Sequence, residues 1–239
     1  MRKPNPANLE MVRLVAERLA ELLGSVVFVG GSIVDLLITD PAAPQVRSTK
    51  DVDIIVEIAS RHDYYRLGET LRTLGFKEDL QSADGPVCRW VVDDIRVDVM
   101  PIHDEILGFS NYFFRIAMDT ATVQDVQDGL EIRLISAPCF LATKLAAFID
   151  RGGSDYISSS DMEDFVAVLD GRPEIIDEII KSPPDVKKFI VEQVSILLED
   201  RDFMWALPGH LEFDSESPER VEMFIAKLRA IAAMDLEVV

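Results

Sequence analysis

Hydrophobic positions in the first half of the chain follow two periods that alternate along the sequence. Residues 9–23 place leucine and valine at a spacing of three to four, which predicts an amphipathic helix with Asn8 as its N-cap and Gly24 at its end. Residues 25–29 form a short apolar run, and residues 51–58 form a second run whose polar positions lie mainly at its start. Both runs predict buried strands.

The alternation continues to about residue 136. Residues 61–74 show helical spacing and end before a glycine, whereas residues 88–92 and 95–102 alternate on either side of an Asp-Asp turn and predict a hairpin. Residues 109–126 begin with aromatic side chains and predict a helix or loop, and residues 130–136 predict a closing strand.

Beyond residue 136 only helical patterns occur. They cover residues 139–151, 161–170, 173–181, 185–200 and 217–233. We therefore predict an α+β protein with a strand-containing domain at residues 1–136 and an all-helical C-terminal domain at residues 137–239.

Composition limits the class of protein. The chain has 239 residues, of which 48% are hydrophobic, so it is long enough for a sizeable core. No stretch approaches the ~20 apolar residues that a membrane span needs, so we expect a cytoplasmic protein without a membrane partner. Cys88 and Cys139 lie in apolar segments without a metal-ligand spacing, which predicts buried thiols.

The formal net charge of -19 repels phosphate backbones, so a nucleic-acid partner requires a local basic patch.

The turn after the first strand is a candidate phosphate site. Gly30 and Gly31 follow the strand directly, and Ser32 is expected to open a helix that continues to Leu37. Backbone N–H groups of such a turn, together with a helix N-terminus, suit an anionic phosphate. A glycine pair on its own is common between a strand and a helix, so the turn needs support from neighbouring chemistry.

Three carboxylates on predicted strands supply that chemistry. Asp51 and Asp53 are two apart and therefore point to one face of their strand. Asp98 interrupts the otherwise apolar run 95–102, where a charge needs a partner or a metal. Carboxylate oxygens are the ligands that Mg²⁺ prefers and shares with substrate phosphates. The set predicts a site for two Mg²⁺ ions, with Mn²⁺ as an alternative, for phosphoryl or nucleotidyl transfer.

A second group of charged residues lies in the predicted helices. Lys144 and Arg151 are two helical turns apart in an apolar run, where a lysine calls for an anion such as a triphosphate. Asp161 and Asp164 lie within one turn of each other and could pair with these cations or act near the acceptor. A structural salt bridge is the alternative interpretation. The three histidines have no ligand or catalytic spacing, and only His103 lies near the Asp98 strand in sequence.

These motifs resemble the nucleotidyltransferase superfamily with the DNA polymerase β-like fold. Its signature is an apolar residue followed by Gly-[Gly/Ser], a spacer, Asp-x-[Asp/Glu] and a third acidic residue on a later strand. The matching residues are Val29, Gly30, Gly31, Ser32, Asp51, Asp53 and Asp98. Residues 47–53 and the order of the later helical motifs are most similar to the AbiEii/AbiGii and MenT toxin-type nucleotidyltransferases. The 18 residues between Ser32 and Asp51 exceed the usual spacer, so we expect residues 39–49 to form an insertion at the mouth of the site.

The resemblance implies a fold, an activity and partners. It implies a mixed sheet flanked by helices, with the helical domain closing over a nucleoside triphosphate whose NMP is transferred to an acceptor hydroxyl. It further implies Asp161 rather than Asp164 as a site residue, a toxin acting on the tRNA acceptor end, and a cognate antitoxin. The cations available for the nucleotide are Arg47, Lys50, Arg89, Arg96, Lys144 and Arg151.

Two alternatives remain open from the sequence. The acidic charge suits an aminoglycoside-type nucleotidyltransferase, which belongs to the same superfamily and accepts a cationic small molecule. A nucleotide-binding regulatory protein that has lost catalysis is the other alternative, although the complete set of three carboxylates argues against it.

Overall fold

The chain forms two compact units, seen in a computed structural model that describes residues 5–79, 87–211 and 217–236. The α/β unit contains the described residues up to Leu36 together with Gln45–Ser136. The helical unit contains Leu37–Pro44 and the described residues from Ala137 onward.

A seven-stranded mixed sheet forms the centre of the α/β unit. Its strands are β1 Val26–Val29, β2 Asp51–Val56, β3 Lys77–Glu78, β4 Arg89–Val92, β5 Ile95–Pro101, β6 Thr122–Gln127 and β7 Leu130–Leu134. They lie in the order β3-β4-β5-β2-β1-β7-β6, with β2/β5 and β1/β7 parallel and the other neighbours antiparallel. The predicted α+β class, with a mixed sheet and C-terminal helices, is confirmed.

The two central strands differ in how their side chains are buried. Every residue of β1 is buried, as continuous apolar runs in the middle of a sheet require. In β2, Val52 and Ile54 are fully buried on one face, whereas Asp51 and Asp53 are half-buried on the other. The start of β2 therefore presents a polar face, and that face carries the candidate site.

Short helices flank the sheet. They are α1 Pro6–Leu19, α2 Val34–Leu37, α3 Arg61–Thr73, α4 Asp104–Leu107 and α5 Phe114–Asp119. The predicted start of α1 was wrong, because Asn5 is the N-cap and its side chain accepts a hydrogen bond from the Ala7 amide. The next residue is a proline, which the first turn of a helix tolerates. The helix also ends early, at Leu19, and continues as a 3-10 turn over Ala20–Ser25.

The edge strand β6 was not predicted. Most of its side chains are exposed, so its sequence lacks the apolar alternation that identifies a half-buried strand. The turn that joins it to β7 is Asp128-Gly129, with both residues at positive φ, the backbone that a two-residue hairpin favours. The Asp128-Gly129 dipeptide was therefore the feature of the sequence from which the β6–β7 hairpin could have been predicted.

The helical unit contains six helices among its described residues. They are α6 Ala137–Asp150, α7 Ser160–Gly171, α8 Ile175–Lys181, α9 Pro184–Glu199, α10 Arg201–His210 and α11 Ser217–Ala232. Helix α6 packs against α7, α8 and α9. Helix α10 was missed because Asp200 alone separates it from α9, ending one helix and capping the next, and because Pro208 lies inside it.

The predicted insertion 39–49 is divided between the two units. Its first part belongs to the helical unit, where the amides of Thr39 and Asp40 both donate to the Gly171 carbonyl. A Cβ on Gly171 would lie 2.8 Å from the Ile38 side chain, so this approach requires glycine. The part from Gln45 onward belongs to the α/β unit.

Within the described ranges, no helix has the length and apolar character needed to cross a bilayer.

Candidate active site

The strand register places the predicted carboxylates on one face of the sheet. Asp53 and Asp98 are direct partners across the parallel pair β2/β5, so their side chains lie side by side. Asp51 is two residues before Asp53 and shares its face. Asp98 is the most buried of the three, with a side chain only 10% exposed, whereas that of Asp51 is 35% exposed. The structure thus brings together all three carboxylates on the polar face of the sheet.

The glycine turn lies directly beside these carboxylates. Val29, the last residue of β1, pairs with Asp53, and Gly30 follows with φ of 75°. A Cβ built on Gly30 would lie 1.9 Å from Oδ2 of Asp53, which no side chain can accept. Only glycine therefore permits both this backbone conformation and the close approach of the Asp53 carboxylate.

Ser32 is the polar side chain of this turn with no hydrogen-bond partner. Its Oγ is buried, the residue is 2% exposed, and among the described residues it is the one buried side-chain polar atom left unsatisfied. A buried hydroxyl without a partner costs free energy, and such groups in native proteins call for a ligand or water. The turn therefore offers a hydroxyl suited to a phosphate oxygen.

The predicted helix after Ser32 is shorter than expected. Gly31–Ile33 form a 3-10 turn, and α2 adds only Val34–Leu37. The segment still runs to Leu37 as predicted, and the contribution of its N-terminus to phosphate binding stays a prediction.

Arg89 was not predicted to interact with the carboxylates. It pairs with Asp98 across β4/β5 and forms a bidentate contact with its carboxylate, Nε to Oδ1 at 2.8 Å and Nη2 to Oδ2 at 2.7 Å. Nη2 also lies 3.5 Å from Oδ2 of Asp51. The hydrogen bond to Asp98 raises the pKa of Arg89 above its ordinary value. The guanidinium thus balances the charge of Asp98 and lies close to Asp51, two of the three carboxylates that were predicted to bind metal.

The fit of the site to Mg²⁺ depends on donor chemistry rather than on preformed geometry. Among the described residues, no three acidic, histidine or cysteine side chains are arranged to hold a metal ion. The donors themselves are carboxylate oxygens, the ligand type that Mg²⁺ favours. Asp51, Asp53 and Asp98 therefore fit the ion chemically, with Arg89 in contact with two of them.

The segment that carries Arg47 is held in place by two asparagines of α1. The Asn8 side chain accepts from the Thr49 amide at 2.9 Å and donates to the Arg47 carbonyl at 2.9 Å. Asn5 donates to the Val46 carbonyl at 3.1 Å. Asn8 is fully buried, on the same stripe of α1 as its apolar core residues, and this polar residue in an apolar stripe was the sequence signal for its role.

Lys50 and Arg96 also lie near the start of β2. Lys50 is exposed and immediately precedes Asp51. Arg96 is the cross-strand partner of Asp51, and its Nε donates to the Lys50 carbonyl at 3.4 Å. Cationic and anionic side chains therefore share the polar face of the sheet.

The remaining predicted residues form a charge cluster within the helical unit. Lys144 Nζ lies 3.2 Å from Asp161 Oδ1 and 2.7 Å from Asp164 Oδ2, and all three side chains are nearly buried. Arg151 pairs with the other oxygen of Asp161, and its own side chain is 69% exposed. Both aspartates therefore contact Lys144. With Arg151 included, two cations balance the two carboxylates of the cluster.

The histidines and cysteines lie outside the predicted chemistry. His103 contacts Arg115, and His210 contacts the Tyr156 carbonyl. Cys88 and Cys139 are buried thiols that form no disulfide, as predicted, and burial raises the pKa of Cys88 to about 12. At that pKa Cys88 is almost entirely a thiol at neutral pH and a poor nucleophile.

Comparison with known proteins supports the fold. The chain is similar to a solved structure of an antigenic nucleotidyltransferase-like protein from Paracoccidioides brasiliensis, with 18% identity, a TM-score of 0.50, and coverage of 95% of this chain and 94% of that chain. No family model matches the sequence, and none of the curated proteins matches it. The nucleotidyltransferase-like fold that the motifs predicted is therefore shown, and the similarity to AbiEii/AbiGii and MenT toxins stays a prediction.

The Gly30 turn can be tested by adding one methyl group. Gly30→Ala forces a left-handed backbone on alanine and a clash with Asp53, so we expect a loss of about 1–3 kcal/mol from the free energy of unfolding. Gly24→Ala is the matched control, since no atom lies within 4 Å of its added Cβ, and it should change stability by less than about 1 kcal/mol. Urea unfolding measures both, and equal losses would contradict the assigned role of Gly30.

The charge cluster of the helical unit makes a separate prediction. Lys144→Met leaves Asp161 with Arg151 and removes a cation 2.7 Å from buried Asp164. The free energy of unfolding should therefore fall by about 3–5 kcal/mol. Lys188→Met is the control, because Lys188 is 64% exposed and 3.9 Å from Glu192, and it should lose less than about 1 kcal/mol. Guanidinium unfolding at fixed pH compares them, and similar losses would show that the cluster is not a buried ion pair.

Proposed function

We propose that this protein transfers a nucleoside monophosphate from a nucleoside triphosphate to an acceptor hydroxyl, with Mg²⁺ or Mn²⁺ as cofactor. The observation that carries the proposal is the buried, unpartnered Oγ of Ser32, in a glycine turn that adjoins Asp53 on the carboxylate face of the sheet. A phosphate oxygen would satisfy that hydroxyl, and the carboxylates would hold the cations that a triphosphate brings.

The proposal gives each residue of the α/β unit a role. Ser32 Oγ donates to a phosphate oxygen, and Gly30 and Gly31 allow the phosphate to approach the backbone. Asp51, Asp53 and Asp98 hold the divalent ions. When bound, such ions lower the pKa of the acceptor hydroxyl and stabilise the charge on the leaving pyrophosphate. The acceptor hydroxyl would release its proton to solvent, and its oxygen would bond to the α-phosphorus as the bond from that phosphorus to pyrophosphate breaks.

Cationic side chains provide the remaining contacts to the triphosphate. Arg47 and Lys50 lie just before Asp51, and the asparagines of α1 fix the backbone that carries Arg47. In the helical unit, Arg151 is better suited to bind a phosphate than Lys144. Arg151 is mostly exposed and lines a cavity of about 260 Å³, and its buried partner Asp161 keeps a contact with Lys144 when Arg151 turns to a phosphate.

Lys144 acts through Asp161 in this scheme. Moving Lys144 to a phosphate would break its 2.7 Å contact with the buried carboxylate of Asp164, which is costly. Asp161 links Lys144 to Arg151, so within the helical unit it positions the arginine that is available for a phosphate.

The acceptor divides the proposal into two candidates. By resemblance, the first is a toxin that modifies the tRNA acceptor end and is controlled by a cognate antitoxin. The second is a small-molecule nucleotidyltransferase for a cationic, aminoglycoside-type acceptor. The net charge of -19, together with the engagement of Arg89 by Asp98, favours a cationic acceptor on electrostatic grounds.

The test measures transfer of label from each of the four NTPs, with Mg²⁺ or Mn²⁺, into total tRNA, protein and a panel of aminoglycosides. Labelled tRNA supports the first candidate and a labelled small molecule the second. Absence of labelling in every arm would contradict the proposal and favour a regulatory protein. Asp53→Asn should lower the rate more than about 100-fold, since loss of groups that merely support metal ligands already costs 10- to 100-fold.

The control for Asp53→Asn is Asp125→Asn. Asp125 is an exposed residue of β6 in the same sheet, so the change in charge is identical while the carboxylate face is untouched. Equal rates in the two variants would remove Asp53 from the site.

A further inference from the structure

Arg89 contacts two of the three carboxylates that are proposed to hold the metal ions. Its two nitrogens contact both oxygens of Asp98, and one of them lies 3.5 Å from Asp51. We infer that Arg89 is a built-in counter-ion that competes with the divalent cation for Asp98 and Asp51. This inference rests on the proposed metal site and concerns how that site is loaded.

The strand register fixes this contact. Arg89 lies directly opposite Asp98 in the antiparallel pair β4/β5, and the two-residue turn Asp93-Asp94, with both residues at positive φ, sets the pairing. The guanidinium therefore comes from the neighbouring strand of the sheet, and its position does not depend on a flexible loop.

Burial makes the competition strong. The side chains of Arg89 and Asp98 are only 15% and 10% exposed, so the carboxylate needs a cation at all times. Guanidinium and a divalent ion repel each other when both approach one carboxylate. Since Arg89 engages both oxygens of Asp98 in a planar fork, an ion that binds Asp98 must displace at least one of its N–H groups.

The competition predicts an order of loading. In the nucleotide-free protein, the most buried of the three site carboxylates, Asp98, is already paired with Arg89, so the site should bind a divalent ion weakly. A triphosphate adds negative charge that attracts both the ion and the displaced guanidinium. The metal should therefore enter with the nucleotide rather than before it.

The experiment measures binding of Mn²⁺ to the nucleotide-free protein, using the electron paramagnetic resonance signal of the free ion at fixed, low ionic strength. Arg89→Gln should bind Mn²⁺ at least about tenfold more tightly than the wild type, because the competing charge-assisted contacts are gone. Arg96→Gln is the matched control: it removes the same charge from the same face, next to Asp51, without breaking a contact to Asp98. It should change the affinity by less than about threefold.

Two results overturn the inference. One is an Arg89→Gln protein that binds Mn²⁺ no more tightly than the wild type, or not at all, and the other is an equal gain in Arg96→Gln. If Arg89→Gln does not fold without metal, Arg89→Lys replaces it, since lysine keeps the charge but loses the bidentate fork. Arg89→Lys should also bind Mn²⁺ more tightly than the wild type, and an unchanged affinity overturns the inference.

Failure of this inference is distinguishable from failure of the proposed function. NMP transfer by the wild type, combined with unchanged Mn²⁺ affinity in Arg89→Gln, rejects the competition and leaves the activity. Tighter Mn²⁺ binding by Arg89→Gln without any NMP transfer in the wild type supports the competition and rejects the activity.

Discussion

A buried carboxylate on a strand inside the sheet requires a cation, and this requirement determines how the charged residues of the candidate site are paired. Asp98 lies in β5 between apolar residues and beside Asp53 on β2, where desolvation penalises an unpaired charge. Arg89 meets that requirement through a bidentate contact. The site is therefore stable without a metal, and the same contact sets the conditions under which a metal can enter.

The glycine turn shows a different constraint. Gly30 brings backbone and carboxylate so close that no side chain fits between them, and Ser32 places a hydroxyl in a buried position with no partner. Glycine adopts the Gly30 backbone without strain, whereas the unpartnered hydroxyl of Ser32 costs free energy in the isolated protein. A bound phosphate would offset the cost at Ser32, which is the physical reason to connect the turn with a nucleotide.

The sequence predicted the fold and the polar face well because both depend on local periodicity. Alternation identified the hairpin that carries Asp98, and the spacing of Asp51 and Asp53 predicted their common face. Prediction from periodicity failed for β6, because the side chains of this exposed edge strand do not alternate between apolar and polar. It also failed for α10, which follows α9 after a single residue. The contact between Arg89 and Asp98 depends on strand register, which periodicity alone does not specify.

The helical unit repeats the principle of charge balance with different residues. Lys144 was expected to need an anion, and Asp161 and Asp164 within the same unit supply it. Spacing alone could not show that Arg151 is better suited than Lys144 to bind a phosphate, because the exposure of each side chain depends on how α6 and α7 pack. Of this cluster, Arg151 is the exposed member, and Asp161 keeps Lys144 as a partner when Arg151 binds elsewhere.

The central claim is that a nucleotide and its metal bind at the Gly30 turn and the carboxylates beside it. Nuclear magnetic resonance of the ¹⁵N-labelled protein with Mn²⁺ and a non-hydrolysable NTP analogue tests this claim directly, because the paramagnetic ion broadens the amide signals nearest to it. The account predicts that the amides of Gly31, Ser32 and Asp53 broaden at the lowest Mn²⁺ concentrations. Loss of signal elsewhere, while these three amides keep their intensity, would contradict it.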